Sequence, residues 1–218
     1  MLNCALAQES RNEFWPEADF FYRLDAVSRL FVQVAPAINR QETFGECQYG
    51  AYVEFGVFPI FRREFGETYD IDRFRFLRFR AGVSYGTNYE WSSHTYNEWR
   101  GILELTARTL LPADILIAAR NRVELRWLND AYSTRYRLRV GFERETPVNS
   151  WLTIIPMALV EVFYDTRFDS WGRTETTLGI GVPITGWFVL ETSYAYQHNT
   201  RTEPTNVHAL LVAGRFYF

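Results

Sequence analysis

The sequence predicts an all-β protein, specifically an antiparallel up-and-down transmembrane β-barrel of about twelve strands. In residues 115–127 and 133–145, charged and apolar side chains alternate, so that each strand would carry arginine and glutamate on one face and apolar groups on the other. The same alternation recurs along the chain to the final Phe218. Long strands that are apolar outside and charged inside are typical of transmembrane barrels.

The composition agrees with this fold. Aromatic residues make up 17% of the 218 residues and charged residues 22%, which suits a barrel with aromatic groups toward lipid and charges toward its lumen. No segment reaches the ~18 apolar residues that a membrane helix needs. The net charge of -3 gives no reason to expect a nucleic-acid partner. All basic residues are arginine, whose planar group satisfies several acceptors at once, although an arginine-favouring genome would produce the same bias.

The first residues resemble the end of a secretory leader. The motif Ala5-Leu6-Ala7 has the small-x-small form of a signal-peptide cleavage site. Residues 1–7 are therefore interpreted as the remnant of a signal peptide, and residues 8–218 as a single outer-membrane barrel domain. Cys4 would be lost on cleavage, which leaves Cys47 as a lone thiol. Two cysteines provide neither a disulfide framework nor metal-ligand spacing.

Eleven segments have the alternation and length of strands that cross a membrane at a tilt. They are residues 17–24, 28–36, 47–58, 73–85, 98–110, 115–127, 133–145, 151–164, 173–183, 187–198 and 206–218. Bacterial single-chain barrels have an even number of strands. A further pass is therefore expected, either from residues 8–16 or from residues 59–72.

The connections predict which end of the barrel faces outward. Four connections are tight and contain turn residues, namely 25–27, 112–114, 147–149 and 184–186. Four others are longer and polar, namely 38–46, 86–97, 165–172 and 199–205. Outer-membrane barrels place short turns in the periplasm and long loops outside. The segment 59–72 departs from this rule, because it is long where a short turn is expected.

The alternation also sorts side chains into two faces, with aromatic residues near strand ends where interfacial girdles form. The lipid-facing set includes Phe20, Tyr22, Val53, Phe55, Leu77, Phe79, Leu103, Leu105, Leu138, Val140, Val160, Val162, Leu178, Ile180, Leu190, Leu210 and Val212. The predicted lumen charges are Arg78, Arg80, Arg100, Glu104, Arg108, Arg120, Arg122, Glu124, Arg126, Arg135, Arg137, Arg139, Glu143, Glu161, Glu175, Glu191 and Arg215, and Glu17, Asp19, Arg23, Glu54 and Gln197 share their face.

Two interpretations of these lumen charges remain open. Cross-strand neighbours on one face lie ~4.5–5.5 Å apart, within reach of bidentate arginine–carboxylate pairs, so the charges could form a ladder of ion pairs that fills and stiffens the lumen. Alternatively, they could line a polar path that screens solutes by charge. The excess of arginine in residues 120–139 would favour anions, whereas Glu54, Glu161, Glu175 and Glu191 weaken that preference.

Catalysis and metal binding receive little support. A barrel lipid hydrolase needs a serine and a histidine within hydrogen-bond distance. Ser92, Ser93 and His94 share one loop, His198 has no evident serine partner, and Ser193 and His208 fall on opposite faces of adjacent strands by their alternation. Residues Asp165, Asp169 and Glu175 could bind Ca²⁺, but a solvated rim explains them better. No glycine-rich phosphate loop is found, and no cofactor is expected.

Three groups of motifs resemble a known family. They are the aromatic segment 14–24, the strand pair Arg122-Val-Glu-Leu-Arg126 and Arg135-Tyr-Arg-Leu-Arg139, and Glu161-Val-Phe-Tyr-Asp165. They resemble bacterial outer-membrane barrels known as a domain of unknown function, whose members carry an Arg-x-Glu-x-Arg strand, an Arg-Tyr-Arg-x-Arg strand and then a Glu-x-Phe strand. The resemblance covers the mature chain and implies a bacterial outer-membrane location, but the family offers no activity that could be carried over to residues of this chain.

These observations together predict a monomeric outer-membrane barrel with an ion-paired lumen and no enzymatic activity. Its role would be structural or the passage of a small solute. A cell-surface interaction protein that uses loops 86–97 and 199–205 is the alternative, a lipid hydrolase is a third, and a soluble barrel is a fourth. The expected partners are membrane lipid and the barrel-assembly machinery, because Phe218 resembles the terminal-strand signal that this machinery reads.

Overall fold

Alternating polar and apolar residues produce eleven long strands and one short strand in the computed structural model, which describes residues 10–39, 43–59, 75–93 and 95–218. The strands are β1 (Ser10–Arg23), β2 (Ser28–Asn39), β3 (Phe44–Pro59), β4 (Arg75–Asn88), β5 (Asn97–Leu111), β6 (Ile115–Leu128), β7 (Ala131–Arg144), β8 (Thr146–Pro147), β9 (Thr153–Asp165), β10 (Ser170–Thr185), β11 (Phe188–Asn199) and β12 (Asn206–Tyr217). A single turn of 3-10 helix, Pro112–Asp114, connects β5 to β6. In the described part of the chain, no helix is long and apolar enough to cross a membrane.

The long strands form a closed ring in which each pairs with its neighbour along the chain. β7 pairs with β9, and β8 is a two-residue strand that pairs only with the start of β9. The ring closes between β1 and β12, which run parallel. In a meander, the first and last strands are parallel whenever the number of strands is odd. The expectation of about twelve antiparallel strands is therefore corrected: in the described residues the barrel wall has eleven long strands, antiparallel except where β1 pairs with β12.

The two regions considered for a further pass have different outcomes. The first strand already begins at Ser10, so most of residues 8–16 extend β1 instead of forming another strand. β3 and β4 pair directly with each other. Most of segment 59–72 lies outside the described residues, as do the proposed leader remnant 1–7 and His94.

The barrel has two distinct ends. The end that holds Phe218 also holds the connections 24–27, 112–114 and 186–187, and we call it the terminal end. The opposite end holds Ser10 and the connections 129–130, 166–169 and 200–205, and we call it the loop end. The tight turn 129–130 at the loop end is an exception to the predicted separation of short and long connections.

Local turn chemistry explains the tight connections. Asn129 and Asp130 both have positive φ, 46° and 68°, as a two-residue hairpin turn requires, and these residue types tolerate that conformation. At the terminal end, the hydroxyl of Ser28 and the N–H groups of Val27 and Ser28 donate hydrogen bonds to the Asp25 carboxylate. These bonds lower the pKa of Asp25 from its ordinary value.

Candidate functional site

The lumen wall from β2 to β10 carries a dense set of charged side chains. The structure places all seventeen predicted lumen charges on the inward-facing side of their strands, including Arg108 and Glu143 nearer the terminal end. The carboxylates at the centre are almost completely buried: Glu54 is 1% exposed, Glu104 4% and Glu161 1%. Burial of this degree is tolerated only when a charge is paired and hydrogen-bonded.

Glu161, on β9, is held by three arginines. Arg120 Nη2 donates a hydrogen bond to Oε1 at 2.8 Å. Arg137 donates to both oxygens, from Nε to Oε1 at 2.9 Å and from Nη2 to Oε2 at 2.8 Å. Arg139 donates to Oε2 from Nε at 3.0 Å and from Nη2 at 2.7 Å. This one carboxylate therefore binds three guanidinium groups, two from the adjacent strand β7 and one from β6 beyond it.

A second series of pairs crosses five adjacent strands, from β6 to β2. Arg122 donates to Glu104 Oε2 from Nε at 2.8 Å and from Nη2 at 2.6 Å. Arg80 Nη1 lies 3.7 Å from Glu104 Oε2, and Arg80 Nε donates to Glu54 Oε1 at 2.5 Å. Arg29 Nε donates to the other oxygen of Glu54 at 2.5 Å. Arginine and glutamate thus alternate around nearly half of the barrel.

The remaining pairs extend toward the loop end. Arg137 Nη1 donates to Glu124 Oε1 at 3.0 Å. Arg126 bridges two carboxylates, because its Nε donates to Glu98 and its Nη1 donates to Asp165 Oδ2 at 2.9 Å. Glu98 and Glu124 are both 0% exposed. Arg135 joins these pairs to the others, because it lies 3.2 Å from Asp165 Oδ2 and 3.8 Å from Glu124 Oε2. We refer to this connected set as the ion-pair network: Arg29, Glu54, Arg80, Glu98, Glu104, Arg120, Arg122, Glu124, Arg126, Arg135, Arg137, Arg139, Glu161 and Asp165.

A separate ion pair lies on the opposite wall of the barrel. Arg215 Nη2, on β12, is 2.6 Å from Glu191 Oε2 on β11, and Arg215 Nε is 3.7 Å from Asp19 Oδ2 on β1. Between these charges the wall consists mainly of small inward side chains, including the buried Ala195 and Ala213. The lumen therefore has one highly charged wall and one less charged wall.

Aromatic side chains fill the lumen toward the terminal end. Phe21 stacks on Phe31 and on Tyr217 with ring centroids 4.6 and 4.9 Å apart, and Phe31 stacks on Tyr52 at 5.1 Å. The Arg80 guanidinium lies 4.4 Å from the centroid of the Phe31 ring, within range of a cation–π interaction. Because Phe31 is 2% exposed and Tyr52 5%, this aromatic cluster packs directly against the ion-pair network.

Toward the loop end the lumen opens into a cavity of about 360 Å³. Its lining includes Trp15 from β1, Arg173 from β10 and Pro204 from the 200–205 connection. At its inner wall, Arg100 donates hydrogen bonds to Gln48 Oε1 at 2.8 Å and to the Tyr96 hydroxyl at 2.7 Å. The cavity thus lies at the loop end, beside the Glu98, Arg126 and Asp165 part of the ion-pair network, and the rest of the network and the aromatic cluster line the lumen toward the terminal end.

Comparison with known proteins gives a family. The sequence profile of the family described as "Protein of unknown function (DUF2490)" matches residues 63–208. The chain belongs to the DUF2490 family. The predicted resemblance to an outer-membrane barrel family of unknown function is therefore confirmed. No curated protein matches the chain.

Among solved structures, this DUF2490 chain is similar to LpxR from Salmonella typhimurium, an outer-membrane β-barrel. The two share 10% sequence identity with a TM-score of 0.54, and the match covers 92% of this chain and 87% of LpxR. At this level of identity the similarity shows the barrel fold alone.

Several members of the network could not be identified from the sequence. Glu98 and Arg29 lie at the first residues of their strands, where the alternation has no preceding residues to support it. Asp165 was considered only as part of a Ca²⁺ site or a solvated rim, but it accepts hydrogen bonds from Arg126, Arg135 and Arg167. Glu98 has the same parity as Arg100 on β5, and Asp165 the same as Glu161 on β9, and that parity is the signal that could have found them; β2 offered no predicted lumen residue to indicate Arg29.

The residues considered for hydrolysis lie apart in the described structure. Ser193 points into the lumen, where its hydroxyl donates to Glu191 Oε1 at 3.3 Å. His208 lies on the outer face beside the Tyr194 hydroxyl, 2.6 Å from its Nδ1, and His198 Nδ1 lies 3.0 Å from Asn206 Oδ1. Among the residues that the structure describes, no group of three or more metal-ligating side chains is present.

Proposed function

We propose that this protein is a monomeric bacterial outer-membrane barrel that binds a small polar molecule in its lumen cavity without forming an open pore or catalysing a reaction. The observation that carries this proposal is the packing of charged and aromatic side chains into the lumen. Below the cavity, the Glu54, Glu104 and Glu161 part of the ion-pair network and the aromatic cluster project into the lumen and are buried there. Of the structural and passage roles, this packing favours the non-conducting one.

The outer surface supports insertion into a membrane. Between the two ends it exposes apolar side chains such as Leu103 at 62% and Leu178 at 57%, whereas soluble monomers rarely expose a continuous apolar surface of this kind. Aromatic groups lie near both ends, as in interfacial girdles. They include Trp99, Trp127 and Trp171 near the loop end, and Trp187, Phe188 and Phe216 near the terminal end.

The proposed orientation has the terminal end in the periplasm and the cavity open to the cell exterior. Phe218, which is 63% exposed, would be available to the barrel-assembly machinery before insertion. Membrane lipid would cover the apolar outer face after insertion. The cavity would then exchange its contents with the external medium through the loop end.

Planar bilayer recordings should show no steady openings for the refolded wild-type barrel. The physical reason is that ions would have to pass the paired charges and stacked rings below the cavity, where Glu54 and Glu161 are 1% exposed and Phe31 is 2% exposed. A change in gel mobility on heating would verify that the recorded protein is folded, and a general porin would be the positive control. Steady ion-selective openings would contradict the proposal, and release of fatty acids from lipid by the purified barrel would contradict its non-catalytic part.

Cysteine labelling in living cells tests location and orientation. We expect a membrane-impermeant maleimide to label Glu90→Cys, near the loop end, in intact Gram-negative cells that express a Cys47→Ser background. Ser150→Cys, in the exposed connection at the terminal end, should react only after the outer membrane is permeabilised. The reverse pattern would contradict the orientation, and labelling of neither position in intact cells would contradict the proposed location.

A further inference from the structure

Arg173 is an arginine of the cavity wall without a carboxylate partner. It lies on β10, where its Nε donates a hydrogen bond to Asn199 Oδ1 at 2.8 Å. Its guanidinium lies 5.5 Å from the centroid of the Phe163 ring. Among the residues that the structure describes, no ion pair joins Arg173 to an aspartate or a glutamate. Its terminal nitrogens are therefore available to a molecule in the cavity.

Two further arginines of the cavity wall surround the same aromatic ring. Arg137 lies 4.5 Å and Arg135 6.0 Å from the Phe163 centroid, and both line the cavity with Arg173. Arg137 is already bound by buried carboxylates, and Arg135 Nη2 donates to Asp165 Oδ2 at 3.2 Å. Of these three arginines, Arg173 is therefore the one that forms no ion pair within 4.0 Å in the described structure, and Glu175 and Glu46 act on it only from farther away.

Strand β1, on another side of the cavity, contributes carboxylates to its lining. On β1, Glu13 and Glu17 line the cavity together with Trp15, whose indole N–H donates to Glu13 Oε2 at 2.7 Å. Carboxylates accept hydrogen bonds from hydroxyl or ammonium groups. The cavity thus combines the arginines of β7 and β10, which surround Phe163 of β9, with carboxylates that include Glu13 and Glu17 on β1 and Glu175 on β10.

We infer that the cavity binds a small polar molecule that carries an oxyanion, a phosphate or a carboxylate, and that Arg173 is the side chain that holds this group. This inference rests on the proposed function, because it specifies the ligand of the same cavity. Guanidinium groups bind phosphate and carboxylate through two parallel hydrogen bonds. A volume of about 360 Å³ lies within the range of small-molecule sites. The hydroxyl groups of such a ligand would donate to Glu13 and Glu17.

Three probes with one hexose ring test the chemistry of the ligand. Isothermal titration calorimetry of the refolded barrel would compare glucose 6-phosphate, glucuronate and glucose. We expect the two anions to bind and uncharged glucose to bind at least about tenfold more weakly, since hydrogen bonds to charged groups are the stronger ones. Comparing the dissociation constants of glucose 6-phosphate and glucuronate then distinguishes a phosphate ligand from a carboxylate ligand.

Variants at Arg173 test whether this residue holds the anionic group of the ligand. We expect Arg173→Gln to weaken binding of the preferred anion by about ten- to a hundredfold, and Arg173→Lys to restore part of it through charge alone. The matched control is Arg201→Gln, which removes the same charge from an exposed position beside Ser170 and outside the cavity lining. This control should bind as the wild type does.

The melting temperature of the ligand-free variant separates binding from a structural role. The charges around Arg173 are of both signs, with Glu175 and Glu46 attracting it and Arg126 and Arg137 repelling it. In the described structure it has no ion pair within 4.0 Å to lose, and the glutamine amide can still donate to Asn199, so Arg173→Gln should melt close to the wild type. A clear decrease would show that Arg173 is structural and would overturn the inference. It would equally be overturned by unchanged anion binding in Arg173→Gln, by glucose binding as tightly as the anions, or by no binding of either anion. In each of these cases, planar bilayer recordings without channel openings would still support the proposed non-conducting role.

Discussion

Replacing Glu161 with glutamine is expected to destabilise the folded barrel by about 3–5 kcal/mol, as is typical when one partner of a buried ion pair is removed. Glu161 accepts hydrogen bonds from Arg120, Arg137 and Arg139 and is 1% exposed. The neutral amide would leave these guanidinium groups without their shared counter-charge, and its NH2 group would face other donors. Urea unfolding in lipid vesicles, followed by tryptophan fluorescence, measures the change in free energy.

Glu175 provides the matched control, because it lies directly opposite Glu161 on the neighbouring strand β10. Its side chain is 14% exposed beside the cavity, and its contact with Arg139 is long, at 4.0 Å. Glu175→Gln makes the same chemical change and should cost at most about 1 kcal/mol, as expected of a hydrated ion pair. A loss of stability in Glu161→Gln as small as that in Glu175→Gln would contradict the network, because it would show that both carboxylates are hydrated.

The strands and their two faces could be predicted from the sequence because both follow from local alternation. Each of the eleven segments overlaps one long strand, and Arg122, Glu124 and Arg126 share a face because they are two residues apart on β6. The sequence indicated eleven strands, which is the number of long strands found in the described residues. A twelfth was predicted only because bacterial single-chain barrels generally have an even number of strands. The start of β1 was missed because Arg11, Asn12 and Glu13 lack the apolar alternation seen elsewhere.

The pairing within the lumen could not be predicted, because it depends on the register between strands. Glu161 can be assigned to the inward face by its position alone, but its contact with Arg120, which lies on a strand that is not adjacent, requires the curvature of the closed barrel. The aromatic cluster was missed for another reason. Phe21 and Phe31 are apolar residues on the lumen face, whereas the alternation assigns apolar residues to lipid.

An arginine in place of Leu103 is expected to impair membrane assembly severely. Leu103 lies near the middle of β5, is 62% exposed and faces outward, so the proposed insertion puts it near the centre of the bilayer. A lipid-facing arginine at that depth costs about 2–4 kcal/mol. Val148→Arg is the control, because Val148 is 55% exposed in the connection between β7 and β9, where the charge remains near water.

The yield of heat-modifiable barrel refolded into vesicles measures both variants. We expect Leu103→Arg to lower this yield and its unfolding free energy, and Val148→Arg to behave as the wild type. In a soluble barrel both arginines would face water, and surface substitutions there change stability by about 0.5 kcal/mol or less. Identical behaviour of the two variants would therefore contradict a lipid-facing exterior, while a selective defect at Leu103 would support the apolar outer face of β5 as a membrane-spanning surface.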